Sequence, residues 1–176
     1  MKSICFPLLI ASALAVAGLA HGFDLTKPFA RTDVVFFEPQ NFTDIRDSSF
    51  GESESARTAT LGELRTYVTK QANRFLSPGQ QLKITVTDVD LAGEFEPWRG
   101  AQWGDVRVVK DLYPPRVTLS FQLIDADGQV IKQGDRQLRD LAFMMKLSIN
   151  RDDPLRHEKA LFDDWLSLEF RGLKKR

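Results

Sequence analysis

An α+β two-layer sandwich, with a mainly antiparallel sheet of four to five strands packed against two amphipathic helices, is the architecture expected from this sequence. Three observations lead to it. Apolar residues recur at helical spacing in two segments, Leu61, Leu64, Val68, Ala72 and Phe75 in the first and Leu161, Phe162, Trp165 and Leu168 in the second. Between them, Leu82, Ile84 and Val86, then Val117, Leu119, Phe121 and Leu123, alternate with polar residues, the two-residue period of a strand with one buried face. Asp125-Ala126-Asp127-Gly128 then turns the second of these strands into a following arm. A strand, a helix, several strands and a closing helix bury their apolar faces most simply as two layers.

The chain opens like a secretory signal peptide over residues 1–22. Lys2 supplies the positive start, an apolar run follows to Leu19, and Gly18, Ala20 and Gly22 are small residues of the kind signal peptidase reads. Pro7 and Ser12 interrupt the run, which lies at the short end of the roughly 17 to 25 residues a membrane-spanning helix needs. Cys5 is too early to become a lipid-modified first residue. Cleavage is expected after Ala20 or Gly22, leaving residues 23–176 as a single periplasmic domain with no stable membrane insertion.

Within that domain, residues 32–37 hold Val34, Val35, Phe36 and Phe37 before Pro39, which reads as a first strand buried on both faces. Residues 44–55 are polar and aperiodic, a loop. Thr60 with Glu63 three residues later has capping-box spacing, so the first helix is expected from Thr60 up to Ser77-Pro78-Gly79. Residues 105–109 form a short candidate strand. The arm at 130–137, with Lys132 and Gly134, has the polar character of an edge strand that resists sticking to neighbours. Residues 138–147, with Leu141, Phe143, Met144, Met145 and Leu147, fit a buried helix or another strand. Asp153 followed by Pro154 gives the last helix an N-cap and a first-turn proline.

Composition narrows the chemistry. Hydrophobic residues make up 43% of the chain and phenylalanine occurs thirteen times, enough for a core. Lysine plus arginine and aspartate plus glutamate both number 24, so no net positive field gathers nucleic acid. The single cysteine, Cys5, leaves with the signal segment, and histidine is limited to His21 and His157. Disulfides, thiol catalysis and zinc sites of several histidines or cysteines are thereby excluded from the mature domain, and no cofactor or metal is expected. His157 reads as a helix-surface histidine beside Asp153 and Asp164, and no serine stands in a nucleophile-elbow motif.

Two stretches draw attention. In Thr87-Asp88-Val89-Asp90-Leu91-Ala92-Gly93, a straight strand would place Asp88 and Asp90 on one face, roughly 6 to 7 Å apart. With Glu94 they would suit acid, base or metal-ligand roles. The same register would point both into the core with Ile84 and Val86, where an unpaired charge is costly, so either the strand bulges or the acids are hydrogen-bonded. As plain structural acceptors they would take backbone N–H groups at the Ala92-Gly93 corner. The second stretch holds Phe95, Trp98, Arg99 and Trp103 in one loop, residue types enriched at binding hot spots. A lid folded over the sheet and a partner-binding surface account for it equally well.

The mature chain resembles, almost end to end, a family of exported proteobacterial proteins catalogued as domain of unknown function 3016. The resemblance rests on Phe42-Thr43-Asp44, on the stretch from Thr87 to Gly93, and on Pro97-Trp98. It continues through Tyr113-Pro114-Pro115-Arg116, Asp125-Ala126-Asp127-Gly128, Asp152-Asp153-Pro154-Leu155 and Asp163-Asp164-Trp165. It implies a periplasmic or exported protein and brings no activity, cofactor or catalytic residue with it. The reading that follows is a non-enzymatic periplasmic binding or envelope-assembly auxiliary protein, whose partner is a periplasmic protein or envelope component met by Phe95, Trp98, Arg99 and Trp103. The alternative is a small carboxylate-dependent hydrolase, possibly metal-assisted, acting on envelope polymer through Asp88, Asp90 and Glu94.

Overall fold

Alternating strands and periodic helices send their apolar side chains into one shared layer. The computed structural model describes residues 31–51, 53–146 and 150–173, so the signal segment expected at 1–22, and Leu147, lie outside the described residues. Along the chain run β1 (Thr32–Phe36), α1 (Glu54–Ala72), β2 (Gln81–Asp90), β3 (Glu94–Phe95), β4 (Arg107–Val108), β5 (Arg116–Ile124), β6 (Val130–Arg139) and α2 (Arg156–Phe170). Four strands form one sheet in the order β1-β2-β5-β6, and β3 pairs with β4 in a separate two-stranded ribbon. The domain is an α+β sandwich.

Three of the four strands form the antiparallel part of the sheet, whereas β1 runs parallel to β2. Parallel neighbours need a crossover of a dozen or more residues, and α1 is that crossover. β5 and β6 form the expected hairpin. Asp125 Oδ1 accepts from the N–H groups of Asp127 (3.0 Å) and Gln129 (2.8 Å), and Gly128 takes the left-handed φ of 81° that closes the turn.

The inner face of the sheet contributes Ile84, Val86, Val117, Leu119, Phe121 and Leu123 to a core completed by Leu64 and Val68 of α1 and by Phe162, Trp165, Leu166 and Phe170 of α2. Trp165 is its aromatic hub, edge-on to Phe121 (5.6 Å), Phe170 (5.7 Å) and Phe162 (6.4 Å). β6 is the edge strand and covers the core with cations. Arg136 donates through Nε and Nη2 to Glu169 (2.8 and 2.9 Å) with its guanidinium over the Phe121 ring, and Lys132 reaches the same carboxylate. Burial pushes the Glu169 carboxyl up, but the bonds from Arg136 and Lys132 outweigh it and hold it below the ordinary value.

Several expectations need correction. β1 is buried on one face only: as an edge strand over a single helical layer it leaves Val35 and the following Phe37 exposed. α1 starts at Glu54, not Thr60, because Ser53 Oγ accepts from the Ala56 N–H at 3.2 Å and caps the helix there. Glu63 is then free to accept from Lys159 Nζ (2.5 Å) across the helix pair. α2 starts at Arg156, with Asp153 Oδ1 bonding the Leu155 N–H (2.8 Å) in a turn just before it. Leu168 does not join the buried stripe and is 86% exposed, because the core-facing positions of α2 run through Leu161, Phe162, Trp165, Leu166 and Phe170. The ambiguous stretch after β6 holds a short 3-10 turn, Phe143–Met145, whose buried Phe143 stacks edge-on against His157 at 4.8 Å.

Candidate functional site

The acidic stretch at the end of β2 owes its placement to one extra residue. The register between β2 and β5 shifts between Val86 and Asp88, a β-bulge that leaves Thr87 without a partner of its own. Asp88 therefore faces Thr118 and Asp90 faces Arg116 on the open side of the sheet, while Val89 returns to the core opposite Val117. Without the bulge, two carboxylates would replace Val89 in the apolar layer. Both are also hydrogen-bonded, though not at the Ala92-Gly93 corner. Asp88 accepts from the Thr43 N–H (2.7 Å) and hydroxyl (2.8 Å), and Asp90 Oδ2 accepts from Arg116 Nε (2.7 Å) and Nη2. Burial pushes the Asp90 carboxyl above its ordinary value in spite of Arg116, with Asp44 and Asp88 adding to the rise.

The polar loop expected from residue 44 begins as ordered backbone. The Asp44 N–H donates to the Val89 carbonyl (3.1 Å) and the Leu91 N–H to the Asp44 carbonyl (3.0 Å), which prolongs the sheet beside the end of β2. This buries the Asp44 side chain, which accepts from Arg46 Nε (3.1 Å) and from Arg107 Nη1 and Nη2 (2.9 and 3.1 Å). Burial pushes its carboxyl up, but the bonds from Arg107 and Arg46 prevail and hold it below the ordinary range. Arg46 also donates to Glu94 (2.5 Å), and Arg107 lies 4.6 Å over the ring of Phe95. The result is a cleft of about 280 Å³ whose lining includes Asp90, Glu94, Tyr113, Arg116 and Arg139. Gly93, at a φ of 85°, makes its corner, where a Cβ would meet the Val108 carbonyl at 2.9 Å.

The aromatic loop adjoins this cleft. Phe95 is buried beneath it, so it holds the loop from below and is out of a partner's reach. Glu96 is buried too and accepts from Lys110 Nζ (2.5 Å), Arg99 Nε and the Tyr113 hydroxyl (3.3 Å). The Lys110 bond, more than its opposing burial, holds this carboxyl below its ordinary value. Two 3-10 turns, Pro97–Arg99 and Ala101–Trp103, meet at Gly100. They leave Trp98 71% exposed and Trp103 partly so, with the Arg99 guanidinium 5.8 Å over the Trp103 ring. Trp98 is not a lid over the sheet.

The structure thus brings Trp98, Arg99 and Trp103 together on one surface, whereas Asp88, Asp90 and Glu94 are each engaged by a different partner, Thr43, Arg116 and Arg46. Among the described residues no group of three or more His, Cys, Asp or Glu is placed to hold a metal ion. Arg46, Arg107 and Arg139 carry no role in the sequence reading, and Asp44 and Arg116 enter it only within the motifs that carry the resemblance. The recurrence of arginine near the acids does not reveal pairing between residues as far apart as Asp44 and Arg107, which are 63 positions apart along the chain.

Glu158 is a further residue without a sequence signal. It faces the core from the first turn of α2, and Oε1 accepts from the Ala92 N–H at 2.6 Å, while Oε2 is buried without a partner. Burial pushes its carboxyl above the ordinary value of 4.5. A raised folded-state value means that its contribution to stability is complete below 4.5 and is lost as pH rises through the folded value. Glu158→Gln keeps the acceptor and removes the charge, so the variant should gain on the wild type as pH rises above 4.5; urea melts at a series of pH values above 4.5 check this. His157, expected on the surface, is instead half-buried against Phe143 with Nε2 unpartnered, and burial lowers its pKa.

A two-layer domain with an ion-paired cleft beside an exposed aromatic loop is the kind of protein these observations define. The chain belongs to the family described as Protein of unknown function (DUF3016), whose model matches residues 30–168. Comparisons with curated proteins and with solved structures return no match.

Proposed function

We propose that this is a periplasmic, non-catalytic binding or envelope-assembly auxiliary protein that holds a protein or envelope partner with the loop carrying Trp98, Arg99 and Trp103. The observation that carries the reading is the exposure of Trp98 on a loop fastened from below by buried Glu96 and Phe95. An indole is a large apolar surface to leave in water, and held in place it offers contact area at little ordering cost. The open edge of β6 offers a second surface, through strand addition. No helix among the described residues is long and apolar enough to cross a membrane.

Trp98→Ala should abolish capture of the partner from a periplasmic extract while changing stability by no more than about 0.5 kcal/mol, the usual range for an exposed side chain. Pull-downs and thermal melts on the same two proteins test it. Undiminished capture by the variant removes the loop from the binding surface. Recovery of the protein in the periplasm with an N-terminus after Ala20 or Gly22 tests the location.

A further inference from the structure

We propose that the cleft at the end of β5 and β6 is a binding site for the carboxylate of a small amphipathic ligand, with Arg139 and Arg116 receiving the anion. The two arginines are direct cross-strand partners at the ends of their strands, and both line the cleft. Like charges placed directly opposite one another destabilise a sheet, so the pair calls for counter-charge. Asp90 supplies one, and both of its bonds go from Arg116 to a single oxygen, Oδ2. The Arg139 side chain has no hydrogen-bond or ion-pair partner among the described residues, and the carboxylate of the adjacent Asp140 is taken by Lys146 at 2.5 Å.

Charge around the cleft selects the ligand. Each lining carboxylate is already ion-paired, Asp44 with Arg46 and Arg107, Glu94 with Arg46, and Asp90 with Arg116. Arg139 is the lining arginine left without a carboxylate among the described residues. A carboxylate accepts the parallel N–H bonds a guanidinium offers, whereas a phosphate group, at about −1.5 to −2, would crowd more negative charge against Asp44, Asp90 and Glu94. Leu91, Leu112 and Pro114 also line the cleft and supply apolar surface for the rest of the molecule. A volume of about 280 Å³ admits a chain-terminal residue or a small organic acid and little more. The site does not use the Trp98 loop and stands whether or not that loop binds a partner.

Calorimetric titration of the mature protein with N-acetyl-leucine, N-acetyl-leucinamide and inorganic phosphate tests the assignment. Saturable binding of the acid below about 10 mM is expected, with the amide and phosphate at least tenfold weaker. Arg139→Gln, at an exposed position, should melt as the wild type does and weaken the acid about tenfold or more. Trp98→Ala should bind the acid unchanged. Free N-acetyl-leucine and a longer peptide ending in leucine, compared at equal concentration, distinguish a free acid from a chain end as the source of the carboxylate. Equal binding of acid and amide, preference for phosphate, full binding by Arg139→Gln, loss of binding in Trp98→Ala, or no saturation would each overturn the proposal.

Discussion

Asp44→Ala should lower stability at pH 7 by about 3 to 5 kcal/mol, the cost of removing one partner from a buried ion pair. The carboxylate is almost fully buried and takes bonds from both Arg46 and Arg107. Without it, Arg107, whose side chain is only 18% exposed, keeps a charge with no counter-ion between Phe95 and the Arg46 backbone. The sign of the pH dependence follows from the depressed carboxyl. Stability from Asp44 is fully present above its ordinary value of 3.8 and is lost as pH falls through the lower folded value, so the deficit of the variant should shrink in acid. Urea melts of both proteins at pH 7 and near pH 3 measure this. A variant as stable as the wild type at pH 7 would mean that the ion-pair web is ornamental to the fold.

Trp165→Ala should cost a similar amount, about 3 to 5 kcal/mol, because it deletes the ring on which three phenylalanines converge. Trp165→Phe separates packing from polarity. The indole N–H is buried without an acceptor among the described residues, so a phenyl ring loses volume but also removes an unsatisfied donor. Its cost should stay below about 1.5 kcal/mol, as for other swaps that keep most of the volume. Equal losses in the two variants would place the stabilising contribution in the far edge of the indole instead of in the aromatic cluster as a whole.

Both variants act on features that differ in how openly the chain displays them. The packing of Trp165 is legible, since its neighbours Leu161 and Phe162 recur at helical spacing and the period fixes which face is buried. The same reasoning misplaces Leu168, because a stripe drawn through four apolar residues does not say on which side of it the sheet lies; Leu166 and Phe170 take the core positions. The β5–β6 hairpin is readable for a comparable reason: alternation and the Asp125-Ala126-Asp127-Gly128 turn are properties of neighbours in sequence. Ser53 as the true cap of α1 is obscured because the first turns of that helix are polar and carry no apolar period.

Local order along the chain was therefore enough to specify the two helices, the alternating strands, their layering, and the dilemma of Asp88 and Asp90. Its resolution required the folded molecule. A bulge is defined by the strand across from it, and Thr87 is extra only because Asp88 pairs with Thr118 while Val86 pairs with Leu119. The Asp44 web and the unmatched Arg139 are likewise products of pairing between distant segments. A charge in the sequence has no partner until the backbone brings one within hydrogen-bond reach, and whether it ends up buried, neutralised or free depends on contacts that span most of the chain.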